Sequence, residues 1–265
     1  MPPPDLATQL QSALRTHTLP TPSKDWLRGI VPNRIPPPPL ASLIATARTR
    51  LLAADLTTPG LLDPPYMASH LLPSAVINKP EIDSGRLAND VVVQVLDIEN
   101  LSRSRWEQVE ELEAIERGEQ TRGREVIRLP VAREGDEEGE EDGGNGADGG
   151  HGGGADGRGH QAGTAGAGGG GNARNATHKL VLQDSLGQKV FGIELKRLDQ
   201  IGVGKTTIGE KFMLRKDTKI SRGVVLLEPS YCQLLGGRVE AWHKVWVESR
   251  LTRLKQGVGA GAGAQ

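Results

Sequence analysis

Apolar positions fall into two periods along this chain, and the change of period marks its organisation. Leu6, Leu10 and Leu14 recur every four residues, as on one helical face. TPSKDWLRGIV follows, where Thr21 or Ser23 can cap a short helix through Trp26 and Leu27, with Pro22 suited to the first turn. LASLIATARTRLLAADL gives a third helix with Leu40, Leu43, Ile44, Ala47, Leu51 and Leu52 on its apolar side. A proline-bearing piece from Thr57 to Pro80 reads as a connector.

The period then shortens. NDVVVQVLDIENL (Asn89 to Leu101) is the strongest strand, rich in β-branched residues and then alternating. KLVLQDSLGQKVFGIEL is a hairpin turning at Asp184, Ser185 and Gly187. GEKFMLRK and RGVVLLEP are two further strands. After Gly236 and Gly237, Val239, Trp242, Val245, Trp246, Ser249 and Leu251 return to helical spacing, predicting a helix from about Arg238 to Lys255. Phe191 and Phe212 lie inside strands and are expected in the core.

Between the first strand and the hairpin lies a different kind of sequence. SRSRWEQVEELEAIERGE reads as an exposed helix or partly ordered segment. Beyond it come Asp and Glu, then almost pure Gly, Ala, Asn and His to about Thr177. That composition buries too little apolar surface to offset its ordering entropy, so residues 102–177 are expected to be a flexible acidic and Gly-rich insertion. One island, GREVIRLPV at Gly123 to Val131, is apolar and flanked by arginines. It reads either as an extra strand or incidental patch, or as a segment that docks on a partner.

The expected architecture is α+β: an N-terminal three-helix bundle packed on a small five-stranded barrel of the oligonucleotide/oligosaccharide-binding (OB) kind, with the insertion between the first and second strands and a C-terminal helix. The expected boundaries are 1–80 for bundle and connector, 81–256 for the barrel domain and 257–265 for a disordered tail. The bundle is too small to be stable alone and should pack on the barrel.

Charge changes the picture more than its total. The 265 residues carry a net charge of −1. Acids exceed bases roughly three to one from Trp106 to Asp148, and bases exceed acids roughly two to one from His178 to Gln256. Lys179, Lys189, Arg215, Lys216 and Arg222 are candidate DNA contacts, but exposed stacking aromatics are scarce, which argues against strong autonomous single-strand binding. Cys232 is the single cysteine, expected to be packed, so no intramolecular disulfide forms. No apolar run reaches the roughly 18 residues of a membrane span, and MPPPD does not start a secretory signal.

Chemistry-bearing motifs are sparse. GVGKTT (Gly202 to Thr207) is not a phosphate loop, because Asp199 stands where the leading glycine belongs and a strand follows instead of a helix. His151, His160 and Asp156 lack cysteine partners or a folded frame for a metal. His243 is read as a surface residue. No catalytic set, cofactor or metal is expected.

LLAADL, VVVQVLDIENLSRSRWEQ, HKLVLQDSLGQKVFGIEL, GEKFMLRK, RGVVLLEP and QLLGGRVEAWHK, in this order, resemble the RecQ-mediated genome instability protein family, the Rmi-type subunit that accompanies topoisomerase III and a RecQ helicase. The resemblance runs from about Ser23 to Lys255. It implies a helical bundle on an OB barrel and a nuclear protein without catalytic activity. It also implies topoisomerase III and a RecQ helicase as partners, with DNA junctions or single strands bound weakly or through the complex. The function it implies is decatenation and dissolution of double Holliday junctions, with the insertion tuning the topoisomerase gate. Arg124, Val126, Ile127 and Arg128 in the insertion and Lys211 in the GEK motif are the partner contacts it suggests. The chain ends in GVGAGAGAQ where larger animal members carry a second barrel, so the compact fungal type is expected. The rival reading is a stand-alone single-stranded DNA-binding module.

Overall fold

The computed structural model describes residues 5–32, 37–119 and 176–262. Helices α1 (Leu6–Thr16), α2 (Lys24–Arg28) and α3 (Leu40–Ala53) form the expected bundle. Its core comprises Leu10, Leu14, Leu27, Leu43, Ala47 and Leu51. Ser23 is the cap of α2, its hydroxyl accepting from the Trp26 N–H at 3.1 Å. A fourth short helix, α4 (Pro64–Ser69), lies in the stretch read as connector and starts on prolines, which suit a first turn.

The sheet holds eight strands rather than the expected five. They are β1 (Gly85–Arg86), β2 (Val91–Asn100), β3 (His178–Gln183), β4 (Lys189–Glu194), β5 (Lys211–Leu214), β6 (Lys219–Ser221), β7 (Val224–Leu227) and β8 (Cys232–Gly236). Of the additional strands, β1 and β6 are too short to show an alternating pattern, and β8 ends on the glycine pair that precedes the last helix. Their order is β1-β6-β7-β4-β3-β2-β5-β8, with β4 and β7 parallel. Among the described residues the end strands β1 and β8 do not pair, so the sheet curls around its core without a closed hydrogen-bonded seam. β2 joins the two halves, pairing with β3 and β5, and a bulge between Val95 and Asp97 bends it.

Alternation along β2 sorts its side chains between two cores. Val91, Val93, Val95 and Ile98 face the barrel interior with Leu180, Leu182, Val190, Phe212, Val225 and Leu227. Val92 and its cross-strand partner Met213 face out and belong to the bundle core. Burial on both sides is why VVVQVL is nearly continuous in apolar residues. Leu72 and Ile77 also sit in the barrel core, and the Leu72 N–H donates to the Asp184 carboxylate at 3.1 Å. The expected boundary at residue 80 is therefore too late, because the end of the supposed connector is part of the barrel.

The terminal helix, α6 (Glu240–Ala262), outruns its expected end at Lys255 and includes most of the tail predicted to be disordered. Its glycines disfavour helix by about 1 kcal/mol each. At the first of them, Gly257, packing offsets this. α6 lies against α5 (Arg105–Glu116), with Lys255 Nζ 2.6 Å from Glu113 Oε1. A Cβ on Gly257 would come within 3.1 Å of Arg105 Nη1, so the glycine lets that guanidinium cross closely. The expected apolar face of α6 is also adjusted: Trp242 and Trp246 pack against the barrel core, whereas Val245 is 63% exposed.

Candidate interaction surface

Among the described residues the GEK lysine is the least exposed of the predicted contacts. Lys211 starts β5 opposite Gln94 and is fully buried; its Nζ donates to the Gly209 carbonyl at 2.6 Å. Burial pushes its ammonium down to about 8, against a partial counterweight from the Asp55 charge. Next to it, Gln94 is also fully buried. Its Oε1 accepts from the Leu56 N–H at 3.0 Å, and its Nε2 donates to Asp55 Oδ1 at 2.7 Å and Gln183 Oε1 at 3.0 Å. Burial acts to raise the Asp55 carboxyl, but bonds from Gln94 and Thr57 and the Lys211 charge outweigh it and hold it below the usual range. This polar seam joins the end of α3 to the middle of β2. Lys211 thus belongs to the joint between bundle and barrel, which corrects its reading as a surface contact.

The insertion leaves and re-enters the barrel at one place. Asn100 and His178 are register partners, the Leu101 N–H donates to the Thr177 carbonyl at 2.9 Å, and the Thr177 N–H donates to Ser102 Oγ at 2.8 Å. Its first part is folded: α5 carries a capping box, with Ser104 Oγ accepting from the Glu107 N–H and Glu107 Oε2 accepting from the Ser104 N–H. The expected exposed or partly ordered segment is therefore a helix that packs on α6. Gln108 secures it, donating to the carbonyls of Asn100 and Arg103 at 3.1 and 3.2 Å. On the return side the His178 N–H donates to Glu194 Oε2 at 2.8 Å and its Nδ1 lies 2.7 Å from the same oxygen. Burial would raise the Glu194 carboxyl, but the bonds from His178 and the Leu198 N–H hold it low. Arg124, Val126, Ile127 and Arg128 lie outside the described residues, as do His151, Asp156 and His160.

The candidate DNA contacts are not gathered on one track. Lys179 is on β3, its Nζ 2.6 Å from Glu99. Lys189 opens β4 and is exposed. Arg215 and Lys216 follow β5, with Arg215 2.8 Å from Asp90, and Arg222 is in the β6–β7 turn, 3.6 Å from Asp83. GVGKTT is a bend before β5, in which Lys205 donates to the Asp199 carbonyl and Thr206 Oγ1 accepts from the Gly202 N–H. Cys232 is buried as expected, its thiol pushed up to about 12 by burial. His243 is partly buried and accepts from the Ile208 N–H at 3.2 Å, so its role is structural. Among the described residues no cluster of three or more His, Cys, Asp or Glu could hold a metal.

Two surface features were missed. A groove of about 630 Å³ runs between α6 and the sheet, lined by Trp242, Trp246, Val245, Leu96, Lys189 and Arg253. Trp246 Nε1 donates to Asp97 at 2.6 Å and fixes one wall. Beyond the groove, Phe191 is 47% exposed, which corrects its assignment to the core. The signal was present in KVFGIE: Lys189 and Phe191 share the face opposite Val190 and Gly192. Likewise the glutamine in the middle of VVVQVL marked the seam.

Two family models match this chain: the RMI1 N-terminal OB-fold domain over residues 72–250 and the RMI1 N-terminal helical domain over residues 14–59. The chain belongs to the RMI1 family. The matched start at Leu72 agrees with that residue's place in the barrel core. A relative from Schizosaccharomyces pombe, RecQ-mediated genome instability protein 1, is 28% identical over 166 residues, 63% of this chain and 63% of that protein. The match thus spans less than two thirds of the relative's length. In family terms, the bundle and OB fold are joined by the Asp55–Gln94–Lys211 seam, and the long insertion emerges from the first hairpin of the OB fold.

Proposed function

We propose that this chain is a non-catalytic scaffold subunit that binds topoisomerase III and, with a RecQ helicase, stimulates decatenation and double Holliday junction dissolution in the nucleus. RMI1 membership supports the genome-stability role. The observation that carries the mechanism is the root of the insertion. Ser102 and Thr177 are hydrogen-bonded to each other, with α5 and α6 braced beside them. A segment anchored this way can reach a partner while its base stays registered on the barrel. Insertion contacts favour an open topoisomerase gate only if they bind that state more tightly than the closed one.

The test compares full-length chain with a variant in which residues 120–175 are replaced by a short Gly/Ser linker. The variant is expected to bind topoisomerase III with near-normal affinity and to lose most of its stimulation of decatenation. Loss of binding together with stimulation would make the insertion an anchor. Full stimulation without it would overturn the gate reading.

Exposed Phe191, with Lys179 Nζ 5.7 Å from its ring centre, gives single-strand binding one structural argument. The scatter of the bases, with Lys179, Arg215 and Arg222 each paired with a carboxylate, weighs against it. Steep salt dependence of oligonucleotide affinity without topoisomerase would favour that second reading.

A further inference from the structure

The outer surface of the curled sheet is unevenly covered. The bundle covers Val92 and Met213, and α6 covers the β2 bulge through Trp246 and Asp97. Among the described residues no element covers the outward row of β3, β4 and β7 in this way. Register places Val181 beside Phe191 and Ile193 beside Leu226, with Val224 on the same side and Leu195 continuing the β4 row. Phe191 is 47% and Leu195 51% exposed; the other four are partly buried. Six apolar side chains contiguous on one open face exceed the scattered apolar residues expected of a solvated surface.

The rim of this face is positive. Lys179 and Arg105 share Glu99, at 2.6 and 3.1 Å, which leaves one cation in excess. Lys196 and Lys219 share Glu228, at 2.9 and 3.6 Å, which leaves another. Lys189 adds a third charge beside Phe191. Arg197, flanked by Glu194 and Asp199, returns one negative charge at the end near Leu195, and the rim stays positive.

We infer that this face is the docking surface for an apolar patch edged by carboxylates on the topoisomerase partner. The inference deepens the function proposed above and rests on it. Charge complementarity selects the carboxylate edge, and the apolar centre selects a protein. Single-stranded nucleic acid fits less well: five of the six apolar residues are aliphatic, and Phe191 is the one aromatic in the row on which a base could stack. The face also ends at the insertion root, where Lys179 pairs with Glu99, so one partner can meet both.

The experiment titrates topoisomerase III with the unmodified full chain, with a Phe191→Asp/Leu195→Asp double variant, with Lys189→Glu, and with Leu40→Asp as a distant exposed control. Thermal melting and circular dichroism confirm that each variant is folded. The double variant is expected to weaken binding by at least about tenfold and Lys189→Glu by about threefold, with Leu40→Asp unchanged. Binding by the unmodified chain that the double variant retains would overturn the docking face and leave the scaffold function standing. Absence of binding by the unmodified chain would instead remove the scaffold function itself, and the docking face with it. Light scattering and an oligo-dT titration run on the same samples. A dimer abolished by the double variant would assign the face to a second copy. Loss of oligo-dT affinity with topoisomerase affinity intact would assign it to nucleic acid. Either result overturns the inference.

Discussion

The outward faces of β2 and β4 follow the same alternation rule but meet different surroundings. On β2 the outward Val92 and Gln94 are fully buried, because the helical bundle lies over them. On β4 the outward Lys189 and Phe191 are exposed, because no element of the described chain covers them. Period two says which side chains share a face; it does not say what lies against that face. The covered side joins bundle to barrel, and the open side is the one proposed above to meet a partner.

The sharpest way to break this comparison is to place a carboxylate on each side. Val92→Asp is expected to lose about 4 kcal/mol or more in urea unfolding, since it buries a charge between bundle and sheet. Phe191→Asp, at a half-exposed position in mid-strand, should cost only about 1 kcal/mol. Equal losses at the two sites would show that the open face is covered after all.

The seam offers a second test, through pH. Lys211 releases its proton at about 8 when folded, against 10.5 as its ordinary value. Between these values the unfolded chain binds more protons, so this group's contribution to stability rises with pH across that window, by about 3 kcal/mol in total. Lys211→Met should abolish that rise, seen as the difference between variant and unmodified chain in denaturant titrations from pH 7 to 10.5. Lys211→Glu should destabilise the fold at neutral pH, so any partner loss it causes reports the joint and not a contact.

A smaller effect belongs to the insertion root. Ser104→Ala removes the cap of α5 and should cost about 1 kcal/mol, read as faster amide exchange in residues 105–109. Unchanged exchange would mean that packing on α6 alone sets the order of α5.

Much of this architecture was legible in the sequence because the signals were local. Leucine spacing marked α1 and α3, β-branched runs marked β2, and the Asp-Ser-Leu-Gly turn marked the β3–β4 hairpin. What was not legible depended on distant partners. Gly257 looks unsuited to a helix until Arg105 is placed beside it and Glu113 beside the preceding Lys255. Lys211 looks like a surface lysine until Asp55 and Gln94 close over it. Phe191 looks like core because its strand is read without its neighbours, and only the sheet order shows that no described element covers it. The two-residue β1 and three-residue β6 are too short to leave any periodic trace.

The proposed scaffold role is tested by size-exclusion chromatography with light scattering on the full chain mixed with topoisomerase III from the same organism at moderate salt. A stoichiometric complex whose mass is the sum of its components is expected. Two separate peaks at micromolar concentration would contradict it.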